Sequence, residues 1–314
     1  MTKNRSIAVV GAGLVGSGWA LVFARAGYSV RAYDPSETVR AGILTWARDS
    51  LNDLVEAGLV EDDQLAILAR ISVHETLAEA VEGVFYVQES VFETVEAKTA
   101  VSLELDTAIG EGVLVGSSSS GIPASQFTET CKNRACFAIA HPVNPPHLVP
   151  VVEIVPAPWT EPSAADRIAA LMEEVGQVPV RLTQEINGFV LNRLQGVLLN
   201  EAWALYEDGI ASLADIDATI AHGLGLRWSF MGPFETIDLN APGGIEDYAA
   251  RLRDLYASMV RTPPPEPWPD AVISRAAEER RAELPLADLS DRRAWRDARL
   301  SRLVAFKKNQ GLMG

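Results

Sequence analysis

The chain is poor in cysteine: Cys131 and Cys136 are the only two in 314 residues. Two thiols without neighbouring ligands at metal spacing exclude a disulfide framework and give no metal motif. Both read as reduced thiols that fill space. Positive charge is also scarce. Lysine and arginine total 27 against 42 acidic residues, a formal charge of −15. Nucleic acid and anionic membranes select basic surfaces, so neither is an expected partner. Residues 35–97 contain no lysine, only Arg40, Arg48 and Arg70, which disfavours a polyphosphate-bearing substrate. No apolar run reaches membrane-spanning length, and the N-terminus shows no signal-peptide core, so a cytoplasmic location is expected. Internal repeats are absent.

What remains is an ordinary globular composition, 48% hydrophobic and 22% charged, in a chain long enough for two domains. Ile7–Gly13 (IAVVGAG) reads as a buried parallel strand ending in glycine, and Leu14–Ala26 as a helix stopped by Gly27. Further strands are expected at 29–34, 84–90, 113–117, 136–142, 151–155 and 178–182, with helices between them. Residues 37–68 read as two helices broken near Gly58. After Asn187 strands cease and apolar residues recur at helical spacing, through to a charged last helix near 292–308. Residues 262–270 (TPPPEPWPD) read as a proline-rich surface loop. The expected architecture is α/β: a Rossmann-type doubly wound sheet over 1–187, followed by an all-helical domain over 188–314.

Gly11, Gly13 and Gly16 form a GxGxxG run, GAGLVG, between a strand and a helix. Gly11 permits the tight turn, Gly13 lets backbone approach a pyrophosphate, and Gly16 lets helix and strand pack closely. The helix N-terminus, at Leu14 and Val15, offers free N–H groups and a positive dipole end. Asp34 closes the second strand. A carboxylate there accepts hydrogen bonds from the adenine ribose and repels a 2′-phosphate, so NAD is the expected cofactor.

A second set of residues lies downstream. His141 ends the strand CFAIA, where this fold opens its ligand crevice. Glu153 lies within the apolar run VVEIV, and an acid there is costly unless paired. Pairing the two would satisfy Glu153 and raise the basicity of His141, either as a catalytic dyad or as a structural contact. Ser120 closes the run GSSSSG after another strand. Asn192 is a polar residue in the apolar helix FVLNRLQ.

Taken together, GAGLVG, AYD, QESVFETVEAK, SSSSG, AHPVNPPHLVPVVEIVP, GFVLNRLQ and GLGLRWSFMGPFET resemble the L-3-hydroxyacyl-CoA dehydrogenase superfamily over nearly the whole chain, and its small-acid branch most. The resemblance implies an NAD-dependent 3-hydroxy acid dehydrogenase. His141 would be its general base, Glu153 the partner acid, Ser120 the substrate-orienting hydroxyl and Asn192 the residue that positions substrate and histidine. Glu93 and Lys98 would line the nicotinamide side, and Asn144 would shape the pocket. It further implies a homodimer formed through the helical domain. Arg227, in GLGLRWSF, matches an arginine of the small-acid branch and would grip a substrate carboxylate in bidentate fashion; a salt bridge elsewhere is the other reading. L-gulonate is the implied substrate, with L-carnitine, 3-hydroxybutyrate or an acyl-CoA as alternatives. A non-catalytic NAD-binding structural protein is the reading from another class. This chain departs from the small-acid pattern at Ser119, where a threonine is usual, and has Gly121 after Ser120, as in carnitine-dehydrogenase-like relatives.

Overall fold

The computed structural model describes residues 5–261 and 267–312. Part of the proline-rich stretch, 262–266, and the first four residues lie outside them. Eight strands form one sheet: β1 (Ser6–Val10), β2 (Ser29–Tyr33), β3 (Ile71–Val73), β4 (Tyr86–Glu89), β5 (Leu114–Ser117), β6 (Phe137–Pro142), β7 (Val151–Pro156) and β8 (Val178–Arg181). Their order is β3-β2-β1-β4-β5-β6-β7-β8. Every pair is parallel except β6–β7. The expected doubly wound sheet is thus present, with two features the sequence reading lacked. One is the short edge strand β3. The other is the antiparallel turn-back of β7.

Side chains alternate across the sheet as the pleat requires. Ile7 and Val9 enter one buried cluster with Trp19, Phe23 and Ile168. Ala8 and Val10 enter another with Val101 and Leu105. Helices therefore cover both faces: α1 (Leu14–Arg25), α2 (Glu37–Glu56), α3 (Gln64–Leu68), α4 (Leu77–Val81), α5 (Val95–Ala108), α6 (Ser125–Thr128) and α7 (Pro162–Glu174). The break between α2 and α3 follows Gly58, whose φ is +72°, a conformation suited to glycine at a helix end. Both cysteines are free. Burial pushes the Cys131 thiol up to about 11, so it is no nucleophile at neutral pH.

The chain then becomes helical: α8 (Leu191–Glu207), α9 (Leu213–Thr219), α10 (Gly225–Trp228), α11 (Pro233–Leu239), α12 (Gly244–Ser258), α13 (Asp270–Glu283) and α14 (Leu289–Asn309). A π-helical turn, Ile220–Leu224, precedes α10. Two compact units result. One comprises Met1–Leu194 with Arg296–Phe306; the other comprises Gln195–Trp295 with Lys307–Met313. Leu300, Val304 and Ala305 of α14 pack on the sheet unit's core. In the helical unit, Trp203 stacks on Trp268 at 5.6 Å, and the Tyr206 hydroxyl donates to Glu279 at 2.6 Å. Among the described residues of 195–295, only Tyr206 and Ala276 are buried hydrophobics, while Val197, Phe234 and Val260 are 72%, 74% and 80% exposed.

Candidate active site

The strand order reverses at β1 and β4, which defines the crevice outside their carboxyl ends where ligands of such sheets bind. Gly11 follows β1 with φ +86°, and a Cβ there would lie 2.5 Å from the Ser90 carbonyl oxygen. A Cβ on Gly16 would lie 1.8 Å from the Gly11 oxygen. Both positions admit glycine only. Around Gly13 no atom lies within 4 Å of a built Cβ, so its backbone is open to an incoming group. Leu14, at the start of α1, is 66% exposed. No side chain caps α1 and no acid sits in its first turn. Its leading N–H groups therefore remain available to an anion.

Asp34 braces this loop. Its carboxylate accepts from Ala12 N–H at 2.8 Å and from Ser36 N–H at 2.9 Å. Arg31 is turned to the Glu79 and Ala80 carbonyls, while Arg40 donates to the Asp34 carbonyl at 2.7 Å. An open glycine backbone, an uncapped helix start and a carboxylate beside the second strand fit the diphosphate and ribose of NAD.

His141 and Glu153 sit directly opposite each other in the β6–β7 register. Nδ1 of His141 lies 2.8 Å from Glu153 Oε2. Both are enclosed, at 5% and 1% exposure. The other carboxylate oxygen accepts from Val190 N–H at 2.8 Å and Leu191 N–H at 2.9 Å. Burial alone would raise the Glu153 pKa; hydrogen bonds from His141, Leu191 and Val190 outweigh it and hold the carboxyl below its ordinary value. Glu153 is thus an ionised acceptor. The imidazole accordingly carries its proton on Nδ1 and leaves Nε2 as the acceptor.

The next residue, Asn192, donates from its amide to the Ser120 carbonyl. The neighbours Leu191 and Asn192 thus tie Glu153, and through it His141, to Ser120: one amide binds the carboxylate and the next side chain binds the serine carbonyl. Ser120 N–H in turn donates to Glu93 Oε1 at 2.7 Å. Lys98 is fully enclosed and meets Glu93 Oε2 at 3.4 Å and Glu89 Oε1 at 3.2 Å. Asn144 is exposed and precedes a cis peptide bond to Pro145. Arg227 lies in the other unit, exposed on α10.

Two participants went unread in the sequence. Phe189 is fully buried, and its ring lies 5.7 Å from that of His141; its φ of +49° is unusual for a bulky residue. Glu89, 1% exposed, accepts from Ser117 and from Val91 N–H. The signal that singled out Glu153, an acid inside an apolar strand, was present for Glu89 too.

A mostly parallel sheet with a glycine cradle at its switch point and a histidine–carboxylate pair on its antiparallel β6–β7 ladder is the arrangement of an NAD-dependent oxidoreductase. The 3-hydroxyacyl-CoA dehydrogenase NAD-binding domain matches residues 6–186, and the C-terminal domain of the same enzymes matches residues 188–282. The chain belongs to the 3-hydroxyacyl-CoA dehydrogenase family. It is 38% identical to the lambda-crystallin of Oryctolagus cuniculus, over 96% of each chain. It is 35% identical to an L-carnitine dehydrogenase of Streptomyces griseus subsp. griseus, over 82% of this chain and 76% of the relative. Among solved structures, an NAD⁺-dependent dismutase, 5-formyl-3-hydroxy-2-methylpyridine 4-carboxylic acid 5-dehydrogenase, superposes with a TM-score of 0.79 at 26% identity, covering 98% of both chains.

Proposed function

We propose that the protein oxidises the 3-hydroxyl of a small L-3-hydroxy acid in the cytoplasm, with L-gulonate as the preferred substrate and 3-dehydro-L-gulonate as the product. The observation that carries the reading is the His141–Glu153 pair, with Nε2 left as a proton acceptor beside the cofactor crevice. Bound NAD⁺ supplies the hydride acceptor; residues 1–187 would hold it, with Gly11–Gly16 on the diphosphate and Asp34 on the ribose. His141 Nε2 takes the hydroxyl proton, Glu153 stabilises the imidazolium that forms, and Ser120 and Asn192 orient the substrate oxygen. In the reverse direction His141 returns the proton. Acid–base catalysis of this kind contributes about 10²–10⁴-fold.

A small acid is favoured over an acyl-CoA because residues 35–97 lack lysine and the chain is strongly acidic. Arg227, exposed on α10, is the candidate carboxylate partner. L-Carnitine is the second substrate, favoured by the Streptomyces relative and by Gly121. The likeness to lambda-crystallin supports a structural, non-catalytic role as the reading from another class.

We further infer a homodimer formed through residues 188–314. Val197, Phe234 and Val260, exposed on the helical unit, are apolar side chains that such an interface would cover.

The experiment is a panel. NAD⁺ is mixed with L-gulonate, L-carnitine, 3-hydroxybutyrate and an L-3-hydroxyacyl-CoA, and absorbance at the NADH band is followed. Turnover of L-gulonate above the others supports the proposal. NAD⁺ binding without turnover of any of them supports the structural role.

A further inference from the structure

Gln88 is the third residue of β4 and has no exposed surface. A buried amide is costly unless its donors and its acceptor are met. Here Nε2 donates to Ser118 Oγ at 2.8 Å and to the Ala140 carbonyl at 3.2 Å, while Oε1 accepts from the Tyr86 hydroxyl. Two groups fix the polarity of this network. A carbonyl only accepts, so the amino group of Gln88 must face Ala140. The Trp19 indole only donates, and it reaches the same Ser118 oxygen at 3.2 Å. Ser118 thus accepts twice, and its own proton goes to Ser90 Oγ at 2.8 Å.

Ala140 belongs to β6, two strands away from β4. On β5, between them, Gly116 is the register partner of Gln88. A Cβ on Gly116 would lie 2.1 Å from the Tyr86 hydroxyl and 2.8 Å from Ala140 Cβ. Glycine therefore opens the lane by which side chains of β4 cross over β5. The β5–β6 register ends at Ser117 with Ile139. The Ala140 carbonyl lies one residue beyond that end, and Gln88 supplies its donor. His141 follows Ala140, and Ser118 begins the loop that carries Ser120. One buried nitrogen thus binds the serine loop with one proton and the backbone beside His141 with the other.

We propose that Gln88 is a positioning residue that keeps the serine loop and His141 in a fixed relation. It acts through Ser118 on one side and Ala140 on the other, and touches neither substrate nor cofactor. This rests on the dehydrogenase reading above.

The test uses NAD⁺ and the 3-hydroxy acid turned over best in the panel. Gln88→Met keeps the length of the side chain and removes both N–H donors. It is expected to lower kcat about tenfold, with KM for the acid and the calorimetric Kd for NAD⁺ each changed less than about twofold. Ser118→Ala breaks the bridge from the other end and is expected to lower kcat to a similar extent. The double variant should then fall within about twofold of Gln88→Met alone, because a bridge breaks only once. Additive losses, unchanged kcat in Gln88→Met, or a loss of NAD⁺ affinity of about tenfold or more in that variant each overturn the proposal. A readout without substrate is the nitrogen–proton NMR of the histidine rings, the His141 signals being assigned by their loss in His141→Ala. Gln88→Met should move the His141 signals and leave those of His74 and His222 in place. Unmoved His141 signals overturn the bridge, with or without turnover, whereas moved signals in a protein that turns over none of the panel leave the bridge standing and remove the dehydrogenase reading. If Gln88→Met does not fold, Ser118→Ala carries the same test, and normal kcat with unmoved His141 signals in that variant overturns the proposal.

Discussion

His141 and Glu153 are cross-strand partners in the one antiparallel pair of the sheet. The antiparallel register of β7 sets a mid-strand acid opposite His141, the residue before the end of β6. The dyad is therefore a property of topology as much as of the two residues. Glu153→Gln keeps an oxygen for the Val190 and Leu191 amides but loses the ionised partner of Nδ1. It is expected to lower kcat at least about tenfold with little change in NAD⁺ affinity, while His141→Ala lowers kcat at least about a hundredfold. Steady-state kinetics paired with calorimetry separates the two effects. Near wild-type turnover in either variant would remove that residue from the mechanism.

The same carboxylate links stability to pH. Its pKa is held below the ordinary 4.5 in the folded protein, so the unfolded chain takes up a proton first on acidification. Stability from this group is full above that ordinary value and is lost as pH falls below it. Glu153→Gln is therefore expected to show a shallower acid slope in chemical denaturation than the parent. An equal slope would mean that Glu153 is not held ionised.

Asp34 is expected to set cofactor choice. Asp34→Ala frees the Ala12 and Ser36 amides and removes the charge that repels a 2′-phosphate. The preference for NAD⁺ over NADP⁺ should fall by at least about tenfold, or about 1.4 kcal/mol, as read from the ratio of kcat/KM values. An unchanged ratio would place the discrimination elsewhere.

His147 offers a test away from the site. Its ring packs edge-on against Trp46 at 5.3 Å, and its Nδ1 is enclosed without a partner. Burial first, then Arg25, lowers its pKa from 6.5 to about 4, with Asp297 opposing. The unfolded chain binds the proton at the higher pH. Stability is thus full above 6.5 and declines towards pH 4, by on the order of 2–3 kcal/mol. His147→Leu should flatten the Tm–pH curve across that window; a curve parallel to the parent's would refute the assignment.

Phe189 backs the imidazole and fills the third apolar cluster with Ala124, Phe127, Ile139 and Val155. Truncation to alanine leaves a cavity behind the dyad and is expected to cost about 3–5 kcal/mol, read by denaturant titration. A cost under about 1 kcal/mol would show that the cluster collapses to fill the space.

The parts legible in the sequence were those with a local signal. GAGLVG sits where strand periodicity gives way to helix. Asp34, His141 and Glu153 are polar residues in apolar strands. Strand direction carries no such signal, because VVEIV reads the same parallel or antiparallel. Ile71–Val73 is too short to show a period. Phe189 looks like any helical apolar residue, and its left-handed backbone is imposed by tertiary packing. Lys98 is where the resemblance puts it, and only the fold shows that its ammonium meets Glu89 and Glu93.

The return of α14 to the sheet's core means that the order of residues along the chain does not follow the order of folding units. The helical unit is an insertion within the unit that holds the glycine cradle. A fragment cut after Leu194 would lack Leu300, Val304 and Ala305, and so part of its own apolar core. Dissection of this protein into a free-standing nucleotide-binding half would require grafting that last helix back, for example by joining residue 194 to residue 296 through a designed linker.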